Sequence, residues 1–175
     1  MKKFIIVALY TIALSSLRLA DSMVTHSLLS TPEGRFTEIN PFAETDRVMD
    51  VFFSPVLLVL SLLSIGAFAW MVYHPKKVLI ANEAVDLSPR SSFAKELLDF
   101  PFLFLTFIAV AVINNTCMLA IGRPLLPKVF NDFLVDSPML GLICIATVLY
   151  VLIGRVSRRT MLSILHSVSA NDDSR

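Results

Sequence analysis

Charge is scarce in this chain. Of its 175 residues only 17% are Asp, Glu, Lys or Arg, and the formal net charge is +1. Soluble domains carry about 25% charged residues. Nucleic-acid binders add a basic patch and a high isoelectric point, so no nucleic-acid partner is expected. Phosphate-cradling glycine motifs are missing too. Neither GxGxxG nor GxxxxGK[ST] occurs, so nothing anchors a nucleotide, and no cofactor is expected. No GxxxG occurs either, which leaves close helix dimerisation without a specific signal. The two cysteines, Cys117 and Cys144, sit far apart in apolar runs and form no metal-ligand spacing. They read as small buried hydrophobes. The three histidines, His26, His74 and His166, do not cluster. Ser27 follows His26 directly, and side chains one residue apart diverge on a helix, so a Ser–His dyad has no support.

What the chain has in excess is apolar length. Hydrophobic residues make up 55% of it, and the mean hydropathy is +0.73. A helix needs about 20 apolar residues to cross a bilayer. Four segments qualify: Phe4–Leu29, Val48–Tyr73, Phe100–Gly122 and, at the short limit, Pro138–Gly154. The fold class read from this is all-α, a four-helix integral membrane bundle formed by residues 1–168 and followed by a polar tail, 169–175. The first segment also has the outline of a signal peptide. A cut after Ala20 would place Arg18 at −3, where a small residue is needed, so an uncleaved helix is expected.

Basic residues are retained on the cytoplasmic side of a membrane. Lys2, Lys3, Lys76, Lys77, Arg90, Lys95, Arg155, Arg158, Arg159 and Arg175 fall on one side of the four spans, against Arg35, Arg47, Arg123 and Lys128 on the other, ten to four. Both termini are therefore expected in the cytoplasm, with the chain in the inner membrane of a prokaryote. Ser91 or Ser92 is placed to cap a short amphipathic lead-in, with Pro101 marking a bend into the third span. Ser137 and Pro138 form a favoured start for the fourth. Leu125–Val135 has the spacing of a helix lying at the outer interface.

The polar residues inside the spans gather at one depth. At about 1.5 Å per residue, Arg18 lies roughly 21 Å from the cytoplasmic edge, Asp21 roughly 26 Å, and Asn114 and Asn115 at roughly 21–23 Å. Asp50 opens the second span on that same outer side. A charge at the bilayer centre costs about 2.5–3.5 kcal/mol on insertion scales. Arg18 and Asp21, at i,i+3, can offset each other, and Thr25 continues their face. Arg18 can also donate to Asn114 or Asn115. In the loop that follows, Glu38, Asn40 and Pro41 stand in an E-x-N-P run, where Asn before Pro favours an extended or turn backbone and makes Pro41 a structural turn. Asp21, Glu38 and Asp50 can converge on a hard cation through oxygen, but nothing demands one and no metal is expected.

Asp21-Ser22-Met23-Val24-Thr25, followed by Glu38-Ile39-Asn40-Pro41, resembles a family of small polytopic prokaryotic membrane proteins. The first helix of that family ends in Asp-x-x-x-Thr, and a Glu-x-Asn-Pro precedes the second. The resemblance covers the first third of the chain and implies a site at Asp21, Thr25, Glu38, Asn40 and Pro41. The family is one of unknown function, so no activity follows from it. Two features of its pattern are absent here: a glycine-rich approach to the acidic residue, and a lysine in a later span.

Three functions are open to such a chain. One is a non-enzymatic scaffold whose partners are the bilayer and another membrane protein. A second is a small transporter or permease-like subunit using Arg18, Asp21 and Asn114. The third is an intramembrane enzyme acting on lipid or peptide at the outer interface, with Asp21 or Glu38 as base. The scaffold is the expected one, because no polar residue carries the cluster through to the cytoplasmic side.

Overall fold

A computed structural model describes residues 2–30, 49, 52–83, 89–122 and 138–172. These form five helices: α1 (Lys2–Leu29), α2 (Pro55–Tyr73), α3 (Pro75–Glu83), α4 (Pro89–Ile121) and α5 (Pro138–Asp172). No strand occurs among the described residues. Glu38, Asn40, Pro41 and Asp50 lie outside them, as does the Leu125–Val135 segment. The expected all-α class holds, and α1, α2 and the Leu97–Ile121 part of α4 are each long and apolar enough to cross a membrane.

α1 packs against α2 and α4, and α4 packs against α5. Side-chain pairing sets the directions. Along α1, Tyr10 meets Ser64 and Arg18 meets Ser61, so α2 runs antiparallel to α1. Tyr10 meets Pro101 and Thr25 meets Asn115, so α4 runs parallel to it. The end holding Lys2 is called basal below, and the end holding Leu29 distal.

Prolines punctuate the helices. Pro55 stands in the first turn of α2, where a missing N–H costs nothing. Leu58 N–H then closes the first turn on the Ser54 carbonyl at 2.8 Å. At the other end Pro75 forces the preceding His74 out of helical geometry, to φ −122° and ψ 49°. The chain restarts at once as α3, a helix not expected from the sequence. α4 begins at Pro89, ahead of Ser91 and Ser92, and runs unbroken through Pro101. The lead-in and the third span are thus one helix. It ends at Gly122, whose φ of +65° lets its N–H reach back to the Met118 carbonyl at 3.0 Å. That left-handed cap is open to glycine at little cost.

α5 exceeds the expected span. Its 35 residues extend roughly 52 Å, well past the hydrocarbon thickness of about 30 Å. Beyond Gly154 the buried positions run Gly154, Ser157, Met161, Leu165, Val168, a stripe at helical spacing. It packs with Val78 of α3 and Leu98 of α4 in the core. Ser169–Asp172, read from composition as tail, are helical. The core is basal: Tyr10, Leu14, Phe68, Met71, Val72, Phe104 and Ile108 join that cluster.

Large apolar side chains cover the outside of the bundle. Phe4 is 68% exposed, Leu9 61%, Leu62 61% and Val151 70%. A monomeric protein in water rarely shows apolar surface on that scale, whereas in lipid it is the favourable arrangement. Cys144 is among the exposed residues and Cys117 is half-buried; both are free thiols. The expectation of two buried cysteines therefore fails, because lipid removes the need to hide a small apolar side chain.

Candidate functional site

One stripe of α1 carries both core and cluster. Its buried positions are Tyr10, Leu14, Arg18, the adjacent Asp21 and Ser22, Thr25 and Leu28, which follow one face of the helix. The basal members, Tyr10 and Leu14, are aromatic or apolar, Arg18 to Thr25 are polar, and Leu28 closes the stripe. The same face that fills the core therefore carries the charged groups to α2 and α4.

Arg18 turns toward α2. Its Nη1 donates to Ser61 Oγ at 3.0 Å, and Nη2 donates to the Phe52 carbonyl. Ser61 Oγ in turn donates to the Leu57 carbonyl at 2.6 Å. The guanidinium carbon lies 5.3 Å from the centre of the Phe52 ring, within cation–π range. Asp21, one turn on, is its electrostatic neighbour. The expected donation from Arg18 to Asn114 or Asn115 is replaced by these contacts. The Phe52–Phe53 turn just before Pro55 delivers a carbonyl that nothing in residue type announces.

Asp21 and Thr25 turn toward α4. Asn115 Nδ2 donates to Thr25 Oγ1 at 3.3 Å and, more weakly, to Asp21 Oδ1 at 3.5 Å. One amide thus bridges the i,i+4 pair. Asn114 is buried beside it on α4. Of the residues singled out from the sequence, four come together here: Arg18, Asp21, Thr25 and Asn115. Glu38, Asn40, Pro41 and Asp50 lie outside the described residues.

Two further polar links are basal of this cluster. The Tyr10 hydroxyl donates to the Pro101 carbonyl at 2.8 Å and lies 2.6 Å from Ser64 Oγ. A phenol has one proton, so Ser64 is the donor to it. One hydroxyl therefore ties α1, α2 and α4 together, while its ring stacks on Phe68 at 4.1 Å. Nearer the basal end, Arg158 of α5 grips Asp99 of α4: Nε to Oδ1 at 3.1 Å, Nη2 to Oδ2 at 2.6 Å. Charge-assisted forks of this kind are roughly twice as strong as hydrogen bonds between neutral groups. Arg158 reads from the sequence only as a basic residue flanking the fourth span, and Asp99 is not singled out. The signal was present: Asp99 follows Leu98 directly inside an apolar run.

Among the described residues, the Asn115 amide is the side chain from α4 that meets Asp21 and Thr25. No group of three or more His, Cys, Asp or Glu suited to a metal ion occurs among the described residues. No protein-family model matches the chain. No curated protein and no solved structure matches it either.

Proposed function

We propose that the protein is a four-span membrane scaffold whose distal polar cluster locks the spans together and presents a surface to another membrane protein. The observation that carries this reading is where the polar groups of α1 go. Arg18 is held by Ser61 and Phe52, and Asp21 and Thr25 are held by Asn115. Hydrogen bonds of this kind between membrane helices contribute about 0.6 kcal/mol each, and they fix which helix faces which. The alternative uses of the cluster draw less support. Between it and the Asp99–Arg158 pair lie Tyr10, Leu14, Phe68, Phe104 and Ile108, packed as core, where a transporter would need water.

In this reading the Pro138–Gly154 part of α5 is the fourth span. The lysines and arginines put both termini in the cytoplasm and the distal end outward, in a prokaryotic inner membrane. The Asp-x-x-x-Thr and Glu-x-Asn-Pro pattern then brackets the outer end of α1 and the loop after it.

Topology reporters test the arrangement. Green fluorescent protein fused after Arg175 should fluoresce, and a cysteine placed at Arg35 should react with an impermeant maleimide in intact cells. A dark fusion and an unreactive position 35 would reverse the bundle. The non-enzymatic role is tested by Asp21→Asn and Glu38→Gln. A scaffold loses accumulated protein with such changes, whereas an enzyme keeps its protein and loses turnover.

A further inference from the structure

A small cavity opens between α1 and α2 at the level of Arg18. Its volume is about 180 Å³, and it is lined by Leu14, Ser15, Arg18, Phe52, Leu58, Ser61, Leu62 and Ile65. Ser15 and Leu62 on its rim are exposed on the lipid-facing surface. Arg18 is only 3% exposed, and its Nε is buried without a hydrogen-bond partner. A buried guanidinium N–H left unpaired is costly in a medium of low dielectric. The Asp21 carboxylate is shared with Asn115, and the direct partners of Arg18, a hydroxyl and a carbonyl, are neutral.

We propose that this cavity binds the anionic head and first methylenes of an acyl-chain amphiphile, either a free fatty acid or an anionic phospholipid. Three features match that ligand. The cation at the cavity has neutral hydrogen-bond partners, with Asp21 an electrostatic neighbour one turn away, and its Nε is a donor to spare. The other walls are mostly aliphatic, from Leu14, Leu58, Leu62 and Ile65. Cation and chain wall are also ordered as lipid is: Arg18 lies toward the distal membrane surface, with Leu14 and Ile65 about one turn nearer the bilayer midplane. A carboxylate or phosphate accepts from the guanidinium, and its chain leaves between Ser15 and Leu62 into the surrounding lipid. The site rests on the chain being membrane-embedded, but not on which end faces outward.

The test uses the full chain purified in a maltoside detergent. A fluorescent polyene fatty acid is displaced by oleate, by uncharged oleyl alcohol and by dioleoyl phosphatidylglycerol. At least one anion should compete about tenfold better than the alcohol, since a charge-assisted hydrogen bond is the difference between them. Whether oleate or the phospholipid wins identifies the source, and either result supports the site. Equal competition by the alcohol overturns it. Arg18→Gln should abolish the anion preference. Ser15→Trp, which fills the rim and leaves the Arg18 hydrogen bonds in place, should abolish probe binding altogether. Should Arg18→Gln not fold, Ser15→Trp decides alone, and its binding like wild type overturns the proposal. Recovery of the wild-type chain from carbonate-washed membranes tests membrane insertion separately, so protein that inserts but ignores the anions contradicts only the lipid site.

Discussion

Arg158 holds Asp99 through two parallel hydrogen bonds, and the two partners are unequally hidden. The Arg158 side chain is 35% exposed and that of Asp99 is 3% exposed. Removing one partner therefore costs differently from removing the other. Arg158→Met strands a buried carboxylate and should cost about 3 kcal/mol. Asp99→Leu frees an arginine that can turn to water, so it should cost about 1–2 kcal/mol. The double variant should recover much of the Arg158→Met loss, because no charge then remains buried. Thermal unfolding in detergent reads all three. Simple additivity would show that the pair is not coupled.

Tyr10 combines packing with a hydroxyl that touches two other helices. Tyr10→Phe keeps the stack on Phe68 and leaves the Ser64 hydroxyl without its acceptor. It should lower stability by about 1 kcal/mol. Tyr10→Ala also empties the core beside Leu14 and Phe68, at about 3–5 kcal/mol. The gap between the two variants, measured in one detergent, separates packing from hydrogen bonding.

Two glycines make a matched pair. A Cβ at Gly66 would meet no atom within 4 Å, so Gly66→Ala gains helix propensity and should stabilise the protein by up to about 1 kcal/mol. Gly122 has open space too, but its φ of +65° disfavours any L side chain. Gly122→Ala should destabilise by about 1 kcal/mol. Melting temperatures moving in the same direction would contradict the assigned cap.

Asn115 bridges Asp21 and Thr25. Asn115→Ala should cost about 0.6–1.7 kcal/mol, the range seen for hydrogen bonds between membrane helices. Asp21→Asn keeps an acceptor at the same place and should cost less than Asp21→Leu. The order of the three in membrane yield and detergent stability checks the bridge.

Much of this was legible in the sequence. Apolar length marked α1, α2 and the spanning part of α4. The i,i+3 and i,i+4 spacing of Arg18, Asp21 and Thr25 marked a shared face, and equal depth brought in Asn114 and Asn115, though as partners of Arg18 and not of Asp21 and Thr25. The partners of Arg18 were not legible. A serine in an apolar run is common, and a backbone carbonyl such as that of Phe52 leaves no trace in residue type. α3 was hidden because Pro75 reads as a stop, although proline is also a good first residue for a new helix. The long basal half of α5 was hidden by its change of composition at Gly154. Its buried stripe through Met161, Leu165 and Val168 follows the helical period, but charged neighbours dilute it. The Asp99–Arg158 pair was not legible, since pairing across helices depends on register and Arg158 reads alone as one more basic residue beside a span.

Arg18 holds α1 to α2 from within the membrane through Ser61 and the Phe52 carbonyl. The most direct measurement is the amount of folded protein in the membrane fraction for Arg18→Leu with Asp21 intact, set beside wild type. That variant removes the bonds to Ser61 and Phe52 and leaves Asp21 without its electrostatic neighbour. Folded protein should fall several-fold and be partly restored by adding Asp21→Asn. Wild-type yield and wild-type melting temperature for Arg18→Leu would contradict it.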